Sequence, residues 1–144
     1  MKGRFKSVVC VDLLLKRKHN NKTYILLMNR INTDSNNGEY ELPGGHLEYN
    51  EDIYTAMIRE AKEELLIDLK QEELKIVEVF HHYTGNRINF IFEADISNHN
   101  PQIGEKDKCD ELLWTEIDNL PDKTNEKMKT IINNFVNNIY YDKL

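Results

Sequence analysis

Cysteine, proline and basic residues are all scarce in this chain, and each scarcity removes a class of protein. There are two cysteines, Cys10 and Cys109. Neither lies in a CxxC pair or beside histidines at zinc spacing, so neither a zinc ribbon nor a disulfide-stapled scaffold is encoded. A reduced, cytoplasmic chain is the expectation. Three prolines and six glycines exclude collagen-like and proline-rich designs, and turn those residues into punctuation where they do occur. No apolar run approaches the ~20 residues of a membrane helix, and the longest, VVCVDLLL, is interrupted by Asp12. The opening MKGRFKSVV lacks the apolar stretch and small-residue cleavage site of a secretory signal. Nineteen Lys and Arg against 25 Asp and Glu leave a net charge of −6. That balance argues against a grip on long nucleic acid. A small anionic substrate held through metal ions stays compatible with it.

The 144 residues, 40% hydrophobic and 31% charged, suit one domain spanning 1–144 with a real core. Ser7 to Leu15 reads as a strand, KRKHNNK as a polar turn, and Thr23 to Arg30 as the returning strand. INTDSNNG is a solvated loop. EYEL is a short strand that Pro43, Gly44 and Gly45 end sharply. Glu73 to Thr84 and Arg87 to Asp95 alternate like two half-buried strands joined at Gly85–Asn86. SNHNPQIGEKDKCD is a long polar loop, ELLWTEI a last strand, and Asn125 to Tyr140 a second amphipathic helix. Strands, helix, strands, helix point to an α/β (α+β) sandwich with a mixed sheet.

The informative segment is GGHLEYNEDIYTAMIREAKEELLI, Gly44 to Ile67. Asn50, Glu51 and Asp52 supply a cap and early acids for a helix to about Leu66. At roughly 100° per residue, Glu60 and Glu64 fall in line with Ile53, Ala56 and Met57. Two carboxylates on a core-facing stripe are costly unless a cation or a function compensates. Glu60, Glu63 and Glu64 stand at i, i+3 and i+4, where Cβ atoms are roughly 5–6 Å apart. A hard cation with oxygen ligands, Mg²⁺ or Mn²⁺, suits such a set, and Mg²⁺ tends to complete its shell with substrate phosphates. The competing reading is a solvated acidic face balanced by Arg59 and Lys62.

These residues resemble the signature of the Nudix hydrolases, G-x5-E-x7-R-E-U-x-E-E-x-G-U, where U is a bulky aliphatic. Gly45, Glu51, Arg59, Glu60, Ala61, Glu63, Glu64 and Ile67 occupy its positions across 45–67. The six glycine or charged positions would match by chance about once in ten million windows of average composition. Ala61 is smaller than the usual aliphatic, and Leu66 stands where the signature has glycine, a place where leucine tolerates positive φ poorly. ELPGGHLE, Arg30 at a strand end and the Trp114 to Pro121 element extend the likeness over most of the chain.

The resemblance implies an α/β/α sandwich and Mg²⁺-dependent (or Mn²⁺-dependent) hydrolysis of a nucleoside diphosphate linked to some group X. It implies that Glu60, Glu63 and Glu64, with the Gly44 carbonyl, hold metal, and that Glu51 and Arg59 form an ion pair tying loop to helix. Glu60 is the first candidate to take a proton from the attacking water and Glu63 the second. A later acid, Glu105, Asp110 or Glu111, could join them. Arg30, Gly45, Phe5, Tyr83 and Glu111 are candidate substrate contacts, while Phe90 and Trp114 are aromatic alternatives that more often belong to a core. His81 and His82 face opposite sides of a strand, so at most one reaches a pocket.

By length and by GEKDKCDELLWTEIDNLP, the likeness is nearest to small MutT-type enzymes. These convert nucleoside triphosphates to nucleoside monophosphate and pyrophosphate, a reaction that can cleanse a nucleotide pool. The alternatives are a dinucleoside polyphosphate hydrolase, favoured by Tyr83, a nucleotide-sugar or ADP-ribose hydrolase, and a non-catalytic nucleotide-binding module. The partners implied are a small nucleotide, with neither long nucleic acid nor membrane, acting as monomer or homodimer.

Overall fold

A computed structural model describes residues 3–35 and 37–144. Strands β1 (Val8–His19), β2 (Lys22–Arg30), β3 (Tyr40–Glu41) and β4 (Gly44–His46) precede helix α1 (Ile53–Leu65). Strands β5 (Lys75–His82), β6 (Arg87–Asp95) and β7 (Cys109–Glu116) follow, then helix α2 (Glu126–Val136) and β8 (Tyr141–Lys143). All eight strands join one sheet in the order β3-β2-β1-β6-β5-β8, with β4 paired to β1 and β7 to β2. The pairing is mixed: β1 is antiparallel to β2 and β4 but parallel to β6.

Alternation along the central strands feeds two cores. Val11, Leu13 and Leu15 of β1 and Leu26 and Met28 of β2 pack with Ala56, Met57, Ala61 and Leu65 of α1. Leu14, Ile25 and Leu27 point the other way, into Met128, Ile131 and Ile132 of α2. A sheet buried on both faces needs apolar residues at successive positions, which is why LLL and ILLM run unbroken. The result is a mixed sheet between two helices. None of the helices is long and apolar enough to cross a membrane among the described residues.

Four boundaries differ from the sequence expectation. Lys16 to His19 extend β1, and the turn shrinks to Asn20 and Asn21, whose φ values of 50° and 62° make the left-handed two-residue hairpin that asparagine tolerates. Gly44 and Gly45 do not simply end β3; they form β4, because Val11 and Asp12 of β1 offer them a pairing edge. The second helix stops at Val136, since Asn138 turns left-handed (φ 57°) and the Ile139 amide donates back to the Asn134 carbonyl at 2.8 Å, a glycine-like helix exit. Tyr141–Lys143 then pairs with β5 as β8.

Candidate active site

Helix α1 is placed by its ends. Asp52 caps it, accepting from the Thr55 amide at 2.9 Å. Leu66 ends it in the left-handed region at φ 55°, ψ 36°. A leucine therefore performs the turn that glycine makes at lower cost, with its side chain half exposed at 48% and close to Gly104. The late loop docks on this same end. Gln102 and Gly104 donate to the Leu65 and Glu64 carbonyls, each at 2.9 Å. A Cβ on Gly104 would sit 2.0 Å from the Glu63 carbonyl oxygen, so only glycine allows that approach.

Arg59 fastens the preceding loop to the helix. Its Nε and Nη2 donate to the two oxygens of Glu51 at 2.8 and 2.9 Å. Nη2 also donates to the His46 carbonyl at 3.1 Å. Glu48 adds an ion pair at 3.1 Å. The Nη1 edge reaches Glu60 at 3.0 Å and Glu63 at 3.3 Å. The guanidinium thus supplies part of the positive charge that the clustered acids require. Beside it, the Glu51 carboxyl is held down to about 2, chiefly by its hydrogen bonds from Arg59.

Glu60 and Glu64 pack against the double glycine. A Cβ on Gly45 would fall 2.2 Å from Glu60 Oε1, and one on Gly44 would strike the Val11 carbonyl at 2.1 Å. The Gly44 amide donates to Glu64 Oε1 at 2.8 Å. Burial raises the Glu60 carboxyl, with Glu63 and Glu105 adding repulsion while Arg59 opposes it. Burial, then Glu60 and Glu105, push Glu64 well above the ordinary carboxylate range. A cation bound among these groups would reverse that cost.

Glu60, Glu63, Glu64, Arg59, Gly44, Gly45, Arg30 and Glu105 line one cleft of about 460 Å³. Arg30 enters it held by Glu41 at 2.7 Å and Thr33 at 3.0 Å. The structure separates the three late acids: Glu105 faces the cleft, whereas Glu111 receives the Tyr40 hydroxyl and neither it nor Asp110 lines the cleft. Two further expected contacts are also placed elsewhere. Phe5 is 79% exposed and Tyr83 55%, and neither lines this cleft or its neighbour. Both fall outside because they flank strand ends rather than the face under α1. Phe90 and Trp114 pack against the α1 core, Trp114 beneath Arg17 at 4.4 Å.

Among the described residues, no three acidic, histidine or cysteine groups stand at spacing ready to hold a metal; Glu60 and Glu63 lean on Arg59 and Glu64 on the Gly44 amide. The donor set still fits a hard divalent ion, because every candidate ligand is an oxygen and the buried carboxyls lack enough positive charge. Glu41, Glu48 and His46 also line the cleft without having been singled out from sequence. All three lie within ELPGGHLE, the stretch that extends the family likeness ahead of the helix.

The sheet between two helices, the glycine-backed carboxylate helix and the arginine clasp make up an α/β/α sandwich of the class that hydrolyses pyrophosphate bonds. The chain belongs to the Nudix family: the NUDIX domain model matches residues 4–135. Among solved structures, it resembles a MutT NUDIX hydrolase from Burkholderia pseudomallei, with 25% identity, 88% of this chain and 95% of that one covered, and a TM-score of 0.75. It also resembles a bifunctional NMN adenylyltransferase/ADP-ribose pyrophosphatase from Francisella tularensis complexed with AMP and a Mn ion. The identity there is 26%, covering 96% of this chain and 43% of that one, with a TM-score of 0.71. The fold is shared with a C. elegans Ap4A hydrolase at 22% identity, 90% and 96% coverage and a TM-score of 0.68.

Proposed function

We propose that this chain, as one Nudix domain over 1–144, is a cytoplasmic, divalent-cation-dependent pyrophosphohydrolase. It would cleave nucleoside triphosphates to nucleoside monophosphate and pyrophosphate. The observation that carries this reading is the gathering of Glu60, Glu63, Glu64 and Glu105 in one cleft, against two glycines that leave room for them. The Mn ion and AMP in the Francisella neighbour support the choice of cation and of ligand class.

Glu60, Glu63, Glu64 and the Gly44 carbonyl would hold Mg²⁺ or Mn²⁺, which when bound neutralises diphosphate charge and lowers the pKa of water. The chain's own groups do the rest. Glu60, half-buried with its carboxyl raised by burial, is the first candidate to take a proton from the attacking water. Glu63, more exposed, is the second candidate for that proton. Arg59 and Glu51 keep the helix registered against β4, so the acids stay within reach of a bound phosphate. Arg30, steadied by Glu41, and Gly45, whose backbone is bare, are placed to contact the substrate's phosphates.

Cleavage of dinucleoside polyphosphates or ADP-ribose is the alternative that the neighbours' own activities suggest, and the two separate by product. A panel of nucleoside triphosphates, dinucleoside polyphosphates and nucleotide sugars with Mg²⁺ should show fastest turnover of a triphosphate. Orthophosphate should appear only after pyrophosphatase is added, and chelator should silence the reaction. Glu64→Gln, which keeps the volume and an oxygen for the Gly44 amide, should lower kcat by orders of magnitude with the fold intact. Direct orthophosphate release, or near-normal turnover in that variant, would overturn the reading.

A further inference from the structure

A second cleft, also about 460 Å³, shares Arg30, Glu41, Gly44, Gly45 and His46 with the first and continues along the α2 face of the sheet. Its wall contains an anomaly already visible in sequence. Asp12 interrupts VVCVDLLL, shares the side of Leu14, and is only 5% exposed. An apolar residue there would have served the core better, since a buried carboxylate is costly.

Asp12 is one end of a relay. Its Oδ2 accepts from Asn89 Nδ2 at 2.6 Å, and Asn89 Oδ1 accepts from Lys127 Nζ at 2.7 Å. The carboxylate fixes which way the buried amide points, and the amide then fixes the ammonium. A lysine has three donors, and only one is spent on Asn89. Arg87, across the cleft, touches His46 at 3.0 Å and Cys10 Sγ at 3.8 Å. Neither Arg87 nor Lys127 forms an ion pair among the described residues, in a chain whose net charge is −6. No Phe, Tyr or Trp lines the cleft, and beside Arg30 and the His46 and His82 rings its strongest donors are Arg87 and Lys127.

We infer that Lys127 is a specificity-determining donor which, with Arg87, reads acceptor oxygens on the part of the substrate outside the scissile diphosphate. Asp12 and Asn89 are its positioning residues. The inference rests on the nucleotide-hydrolase reading for the identity of its ligand. Two sources supply such oxygens, a carbonyl on the base or a further phosphate on the sugar.

The test uses metal-free titration calorimetry with nucleoside monophosphates. Inosine and adenosine monophosphates differ by a carbonyl in place of an amino group, and adenosine 3′,5′-bisphosphate adds a phosphate to the same base. At least one of the two should bind roughly ten- to hundredfold more tightly than adenosine monophosphate, as a charge-assisted hydrogen bond allows. Lys127→Met should erase that advantage and Lys127→Arg restore much of it. With the best-hydrolysed nucleotide, Lys127→Met should raise KM far more than it lowers kcat. If Lys127→Met does not fold, Arg87→Gln carries the same comparison. No preference in the wild type, or a preference untouched in the folded variants, overturns the inference even if hydrolysis proceeds. Selective binding without turnover of any diphosphate supports it while overturning the enzyme reading.

Discussion

Arg59 concentrates more of the site's electrostatics than any carboxylate it serves. Its forked contact with Glu51 is buried on the acid's side and joins residues eight apart through the loop that enters α1. Removing it leaves Glu51 with only the Glu48 amide, at 2.9 Å, and Glu60 and Glu63 facing each other unscreened. Glu51 titrates at about 2, below the ordinary 4.5. A depressed carboxyl contributes stability that is present above its unfolded pKa and fades as pH falls toward the folded value. Wild-type stability should therefore decline between about pH 4.5 and pH 2. Arg59→Ala should be less stable at pH 7 and lose that portion of the decline. Urea midpoints measured across this range check it, and an unchanged profile in Arg59→Ala would show that the clasp carries no stability.

At the scale of elements, the C-terminal strand adds a buried polar tie to its backbone pairing with β5. Glu78 of β5 is 1% exposed. Asn134 of α2 donates to it at 3.0 Å and to Asp142 of β8 at 2.9 Å, so one amide ties three elements together. Glu78 Oε2 is buried with no partner, and burial lifts its carboxyl to about 7, with Asp142 and Asp12 adding to the effect. Here the sign is opposite to that of Glu51. A raised carboxyl is more protonated in the folded state between 4.5 and 7, so stability falls as pH rises through that window. Glu78→Gln keeps an oxygen for Asn134 and cannot ionise. It should be more stable than wild type at pH 8 and flat where wild type slopes. Thermal midpoints at pH 5 and pH 8 measure this, and equal slopes in both proteins would refute the buried-acid account.

The whole molecule divides its charge between two adjoining clefts. The first sets Glu41, Glu48, Glu60, Glu63, Glu64 and Glu105 against Arg30, Arg59 and Lys108, and the second, sharing Arg30 and Glu41, adds Arg87 and Lys127 to Asp12. Part of the acid repulsion in the first is a standing cost to the fold, borne chiefly where Glu64 is buried against Glu60. A divalent ion that binds the folded state alone should offset it by mass action, worth about 1.4 kcal/mol at ten times its dissociation constant. Mn²⁺ or Mg²⁺ should raise the thermal midpoint, chelator should reverse the rise, and Glu64→Gln should blunt it. A midpoint indifferent to metal in the wild type would remove the metal from this cleft.

The sequence by itself determined the parts whose spacing is local. Helical periodicity aligns Glu60 with Glu64 within four residues, and Asp52 caps the turn that follows it. Those relations survive any tertiary arrangement, so the box, the two helices and the sheet's long strands could be read directly. Where strands end was less legible: pairing with a distant partner, not local preference, made Lys16 to His19 and Gly44 to His46 strand. Tertiary structure alone decided which late acid turns inward, since Gly104 presses Glu105 rather than Glu111 toward the helix. It also left Phe5 and Tyr83 in solvent despite their aromatic rings. The Asp12–Asn89 bond joins residues 77 apart in the chain, and Lys127 reaches Asn89 from 38 away. In sequence Asp12 is only an interruption; the parallel pairing of β1 with β6, and α2 laid across them, make it the anchor of a cation.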